Sequence, residues 1–274
     1  MKDMLGKSGF DVIGDVHGHA AELTILFKRM GYQETNGVLR HPEGRRVVFL
    51  GDFIDRGPEI RRTLEIVRGM VEAGSALAAW METKMRRLWE EPTDSGELRF
   101  TGPFEAPVLT QAGLVDFGRR KDPVSGKPAL GWKYKEKFLT GPEKGLPAGV
   151  SYLDKEGCER TSIRVKWWMD PAPDATLGDM IMAGRRAVAG LGDAVSVPLR
   201  GLKFKKPWTP CPVEALTFVG HYWLDEDEAG PLTDKLACLD CSVARGGALC
   251  AYRHESGRRT LDPEAFLTVP ALPD

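Results

Sequence analysis

The apolar and polar positions of this chain fall into three stretches of different character. Residues 10–14, "FDVIG", form a short apolar run closed by glycine, the pattern of a buried strand. Residues 19–31 then place Leu23, Leu26, Phe27 and Met30 on one helical face, with Gly31 where a helix should end. The stretch "GVLRHPEGRRVVFLGD" predicts two strands around a Pro-Glu-Gly turn, the second over residues 47–50. Pro58 fits the first position of a further helix, from 59 to about 73, with Ile60, Leu64, Val67 and Val71 on one face. Strand, helix, strands, helix is an α/β beginning.

The middle differs. Residues 80–91 carry a helical pattern, but from 92 to about 147 periodicity decays and Pro and Gly are frequent. So long a featureless stretch is unusual inside a compact domain. Order returns with "GVSYLDKEGCERTSIRVKWWM", a predicted hairpin whose second strand runs into Trp167-Trp168. "VEALTFVGHYWL" predicts a strand ending in Gly-His, and "KLACLDCSVARGGALCAYRHE" predicts two strands joined through Gly246-Gly247.

Composition narrows the function classes. A net charge of -1 offers no general basic field for nucleic acid or an acidic membrane. No apolar run approaches the ~20 residues that span a bilayer, and "MKDMLGKSGF" lacks the apolar core of a secretory signal. Five cysteines, an odd number, fit reduced thiols and a cytoplasmic location. The Cys238-x-x-Cys241 pair lies in a strand pattern with no second ligand pair nearby, so packing explains it better than zinc.

The candidate chemistry sits at strand ends. Three predicted strands end in glycine followed by a ligating residue: Gly14-Asp15-x-His17, Gly51-Asp52 and Gly220-His221. Side chains at C-terminal strand ends converge on one edge of a sheet, where α/β folds place their sites. Carboxylate with imidazole suits Mn, Fe or Zn.

"GDVHG", then "GDFIDRG", then a late "GH" resembles the calcineurin-like metallophosphoesterases, in the bacterial branch that includes phosphoprotein phosphatases and diadenosine tetraphosphatase. The resemblance covers roughly residues 9–75 and 140–255. It implies an α/β sandwich of two mixed sheets flanked by helices, in one domain over residues 8–270. It implies that Asp15 and His17 hold one divalent metal, that Asp52 bridges to a second about 3.5–4 Å away, and that His221 reaches that second metal. Arg56 would clamp phosphate oxygens, and Asp55 would support the histidine that protonates the leaving group. The implied activity is metal-dependent hydrolysis of a phosphorylated substrate, either a phosphoprotein or a dinucleoside polyphosphate.

The resemblance breaks at one place. After the second helix the family carries Gly-Asn-His-Glu, which supplies a ligand of the second metal and the general acid. This chain reads "AGSALAAWMETKM" there. Its five histidines are His17, His19, His41, His221 and His254, so none lies between 41 and 221. The gap coincides with the loss of periodicity, which marks about 76–135 as altered, through a bounded lesion in the gene or a real divergence. The expectation is therefore an incomplete second metal site and weak hydrolysis. The rival is an inactive relative that binds metal or phosphate and acts through partners.

Overall fold

The computed structural model describes residues 9–78, 107–110, 113–116, 143–146, 148–149, 151–153, 159–170, 172, 174–176, 178–181, 213 and 216–273. In chain order the elements are β1 (Phe10–Ile13), α1 (Ala20–Arg29), β2 (Gln33–Thr35), β3 (Val38–Arg40), β4 (Arg46–Phe49), α2 (Ile60–Glu72) and β5 (Ala76–Ala78). Then come β6 (Pro107–Thr110), β7 (Gly113–Asp116), β8 (Glu143–Gly145), β9 (Tyr152–Leu153), β10 (Glu159–Arg160) and β11 (Ser162–Arg164). The last are β12 (Thr217–Val219), β13 (Leu236–Cys238), β14 (Asp240–Cys241), β15 (Ala248–His254) and β16 (Phe266–Pro270). The fold is mixed α/β.

A six-stranded mixed sheet organises the chain. β1, β4 and β5 run parallel, so their C-terminal ends share one edge. β15 pairs antiparallel with β1 through residues 251–254 and with β14 through 248–249, while β16 spans 248–252. A strand has two edges, so β1 and β14 must share one edge of β15 and β16 takes the other. β13 pairs instead with β12, in parallel. The chain thus bends at Leu239 and passes from one β layer into the other.

Alternation distributes the apolar side chains of the central strands. Ile13, Val47 and Phe49 face the helices and pack with Leu23, Leu26, Phe27 and Met30 of the α1 region and Leu64, Val67 and Met70 of α2. Val12 and Val48 face the opposite way, onto Ala237, Leu239, Cys250 and Tyr252, with Phe218 beside them. Each such fully buried side chain stabilises the fold by about 1.5–3 kcal/mol. Beyond β12 and β13, Val219, Leu236 and Cys238 pack with Trp167, Tyr222 and Leu224. Trp167 donates to the Tyr222 hydroxyl at 2.9 Å, so this pair builds core. Cys238 and Cys241 are free and buried, and both thiols are pushed up, Cys238 by burial and Cys241 by its hydrogen bond with Cys250 and by burial.

Several predicted elements differ in detail. The two strands expected to pair around Pro42-Glu43-Gly44 do not meet. β3 pairs with β2 through Asn36-Gly37, both at positive φ (52° and 76°), the signature of a tight two-residue hairpin turn. β4 joins β1. Pro58 lies two residues before α2 rather than inside it, because Glu59 occupies the cap position. The buried face of α2 is Thr63, Leu64, Val67 and Met70, with Ile60 and Val71 at its margin. The long strand expected to end in Trp167-Trp168 is broken. β10 pairs with β9, β11 pairs with β8, and the tryptophans lie in the following turn. β6 and β7 form a hairpin in the stretch that lacked a sequence pattern. The helix expected at 80–91 lies outside the described residues.

One buried histidine lies far from the strand ends that carry the candidate ligands. The His254 ring stacks on Phe10 at 4.5 Å, and its Nδ1 has no hydrogen-bond partner among the described residues. Burial, with the Arg45 and Arg258 charges outweighing Glu255, holds its pKa below the ordinary 6.5. The unfolded chain therefore binds a proton that the native state refuses. This contribution is fully present above about pH 6.5 and is lost as pH falls through the lowered folded value. His254→Phe should flatten the loss of stability between pH 7 and pH 5, measured by urea unfolding. An unchanged slope would show that His254 is not its source.

Candidate metal centre

Three strands deliver the site. β1 runs into Gly14-Asp15, β4 into Leu50-Gly51-Asp52 and β12 into Gly220-His221. One ligand atom from each of Asp15, Asp52 and His221 can be chosen so that all lie within 4.8 Å of one another. His221 Nδ1 stands 3.6 Å from Asp52 Oδ2. The sequence-predicted residues Asp15, Asp52 and His221 are therefore brought together, across 206 positions of chain between Asp15 and His221.

Backbone hydrogen bonds hold the loops in register. The Val16 and His17 amides both donate to the Asp52 carbonyl, at 3.1 and 2.6 Å, and the Gly57 amide donates to the His17 carbonyl at 2.7 Å. A Cβ at Gly57 would fall 2.4 Å from that carbonyl oxygen, so the glycine of "DRG" lets the two loops touch. The His221 amide donates to Asp15 Oδ2 at 2.8 Å, and Arg164 donates to the His221 carbonyl at 2.7 Å. The backbone is left-handed at His17, Asp52, Asp55, Arg56, His221 and Trp223, with φ between 43° and 79°. Such geometry costs roughly 1–3 kcal/mol per residue and persists only where the surroundings impose it.

Electrostatics sorts the two carboxyls. Asp15 is buried, and its pKa is pushed well up by that burial, then by the charges of Asp240 and Asp52. Burial also pushes Asp52 up, but the hydrogen bond from His221 and the nearby His17 and His221 rings outweigh it and hold Asp52 below the usual range. Two carboxyls and an imidazole in this contact fit a divalent cation, whose charge would offset the repulsion between the carboxyls.

The other predicted residues have separate places. His17 is buried, its Nδ1 against the Ile54 carbonyl at 3.0 Å and its Nε2 3.9 Å from Asp52 Oδ2. It stands at the edge of the three-residue cluster and can extend it. Arg56 is exposed, its guanidinium 5.2 Å from the centre of the Trp223 ring. Asp55 is exposed in the turn before it, with its carbonyl accepting from Gly57. The other histidines lie apart: His19 bonds Glu22 at 3.1 Å, and His41 packs edge-on against Tyr32.

Asp240 plays a larger part than its sequence context suggests. Its carboxylate accepts from the Trp223 and Ser242 amides at 2.9 and 3.0 Å, and its carbonyl accepts from Leu224. It positions the loop that carries His221 through the backbone rather than through the imidazole. Arg164 was not legible as a site residue; Gly220 was, but only as the glycine that closes the strand before His221.

Comparison with known proteins supports the resemblance drawn from the motifs. The chain is 46% identical over 66 residues to an asymmetrical bis(5'-nucleosyl)-tetraphosphatase of Geobacillus sp., a match covering 24% of this chain and 27% of that protein. It is 44% identical over 66 residues to the enzyme of the same name from Bacillus subtilis, with the same 24% and 27% coverage. The match thus spans about a quarter of the length of these curated relatives. No family model matches the chain. A crystal structure assigned to a diadenosine tetraphosphatase aligns over 97% of this chain and 95% of its own, at 16% identity and a TM-score of 0.39, too distant to carry an argument. Among the described residues no helix is long and apolar enough to cross a membrane.

Proposed function

We propose that this protein is a metal-dependent phosphoesterase of reduced activity, acting on phosphate esters or phosphoanhydrides. The observation that carries the reading is the meeting of Asp15, Asp52 and His221 at the ends of three strands, within ligating distance of one another. The relatives named bis(5'-nucleosyl)-tetraphosphatases favour a dinucleoside polyphosphate over a phosphoprotein as substrate.

In this reading Asp15, Asp52 and His221, extended by His17, hold one divalent ion, with manganese the first candidate. The bound ion supplies charge for the phosphoryl oxygens and lowers the pKa of water. Asp52, held below the usual carboxylate range beside the two histidines, and Asp15 would hold the ion as carboxylates, and Arg56 would offer its fork of N–H donors to phosphate oxygens. Asp55 lacks the histidine partner that the resemblance expects, since no histidine lies between His41 and His221. Without that general acid the leaving oxygen departs unprotonated, at a cost of about 10²–10⁴ in rate.

Hydrolysis of p-nitrophenyl phosphate and diadenosine tetraphosphate with Mn²⁺, alongside metal counting, tests this. The expected result is bound metal with turnover at least about 100-fold below that of a relative with the complete ligand set. Full turnover that disappears in Asp52→Asn would overturn the reduced activity. Bound metal or phosphate without any turnover would favour the inactive binding protein, the reading to which the missing histidine points.

A further inference from the structure

We propose that Arg164 is a positioning residue of the candidate metal centre, and that it fixes the His221 imidazole by holding the His221 backbone. The inference rests on reading His221 as a metal ligand, and it adds to the centre a residue of β11 that no motif marks.

The observation is the double anchoring of one residue. The His221 amide donates to Asp15 Oδ2 at 2.8 Å, and the His221 carbonyl accepts from Arg164 Nη1 at 2.7 Å. Arg164 lies 57 positions earlier in the chain. The two anchors differ in kind. Asp15 is itself a candidate ligand, so its carboxyl serves both the amide and any ion. Arg164 is no ligand, and its hold on the loop does not compete with the ion. A bond from a guanidinium to a carbonyl is also charge-assisted, which makes it stronger than one between neutral groups.

His221 needs such a hold. β12 ends at Val219, so no sheet ladder fixes the backbone beyond Gly220. The His221 backbone is left-handed (φ 69°), a conformation that a residue with a side chain keeps only where its surroundings impose it. Relaxation of that φ would turn the Cα–Cβ bond and carry the ring with it. The ring nitrogen Nδ1 now stands 3.6 Å from Asp52 Oδ2.

The chain around β11 gives Arg164 a firm base. Ile163, Val165 and Trp167 are buried, while Arg164 and Lys166 between them are half-buried, the alternation of an extended segment packed on one face. Trp167 donates to the Tyr222 hydroxyl at 2.9 Å, so the same segment also grips the residue after His221. Across the ladder Arg164 pairs with Glu143, whose carboxylate stands 4.0 Å from Arg164 Nε and accepts from the Ser162 hydroxyl at 2.6 Å. That exposed carboxylate adds only weakly to the restraint.

The test begins on metal-free protein, with hydrogen exchange of assigned amides followed by nuclear magnetic resonance. Arg164→Ala should speed exchange of the His221 amide about tenfold. The Val16 and His17 amides, which donate to the Asp52 carbonyl, should stay within about twofold of the parent. Arg164→Lys should recover part of the protection, since it keeps a cationic donor but not the planar fork. Lys166→Ala is the control, because it removes a cation of the same segment that bonds the Asp179 carbonyl instead, and it should leave His221 unchanged. A Mn²⁺ titration reads the consequence, with affinity expected to fall about tenfold in Arg164→Ala and to recover in part in Arg164→Lys. Unchanged exchange at His221, or equal acceleration of all three amides, overturns the proposal. So does faster exchange at His221 with undiminished Mn²⁺ affinity. If the parent binds no Mn²⁺ while Arg164→Ala still releases the His221 amide alone, the metal reading falls and the hold of Arg164 on His221 stands. If the parent binds Mn²⁺ and Arg164→Ala alters neither exchange nor affinity, the proposal falls alone.

Discussion

Asp52→Asn should weaken Mn²⁺ binding by at least about 100-fold and leave the fold intact. Loss of an outer-sphere partner of a metal ligand already costs about 10–100-fold, and Asp52 is placed to be a ligand itself. Its carboxylate lies at the centre of the cluster, 3.6 Å from His221 Nδ1 and 3.9 Å from His17 Nε2. An asparagine keeps the size but removes the charge that balances the cation. Affinity in the parent protein should also rise with pH. Asp15 carries a raised pKa, so a proton competes with the metal above the usual carboxylate range and must leave when the ion binds. Free Mn²⁺ followed by electron paramagnetic resonance measures the affinity, and circular dichroism checks the fold. Undiminished affinity in Asp52→Asn would mean that the metal is held elsewhere.

Gly220→Ala should both destabilise the protein and empty the site of metal. The new Cβ would lie 2.0 Å from Asp15 Oδ1 and 2.9 Å from its carboxyl carbon. Asp15 cannot easily retreat, because it is buried and its other oxygen accepts from the His221 amide. Either the carboxyl rotates out of the cluster or the His221 loop lifts, and both separate ligands. Overpacking of this kind costs about 1–3 kcal/mol. Gly69→Ala is the matched control. That glycine lies inside α2 with nothing within 4 Å of an added Cβ, so the exchange should stabilise by about 0.5–1 kcal/mol. Thermal unfolding and Mn²⁺ titration of the two variants decide the matter. Normal metal binding in Gly220→Ala would show that the contact with Asp15 is not required.

The two variants probe different kinds of information. Asp52 announces itself, since it follows an apolar run and a glycine within a recognisable motif. Gly220 announces itself only as the turn before His221, and its strict need arises from a carboxylate 205 positions earlier that occupies the space of its missing side chain. Asp240 lies between the two. The carboxylate inside "CLDCS" is a candidate to orient His221 from a neighbouring strand, and only the placement of the Trp223 and Ser242 amides shows that it acts through the backbone.

Local patterns in the amino-acid order were enough for β1, α1, β4, α2 and the strand before His221, because periodicity and turn chemistry act over a few residues. They were also enough to nominate Asp15, His17, Asp52 and His221 and to show that no histidine lies between His41 and His221. Pairing was not legible in the same way. That β3 joins β2 and not β4, that one strand bends at Leu239 to serve two β layers, and that Arg164 bonds the His221 carbonyl all depend on contacts between distant segments. Such contacts are selected by the burial of whole faces and by the satisfaction of backbone groups across the sheet, which no short window of residues encodes.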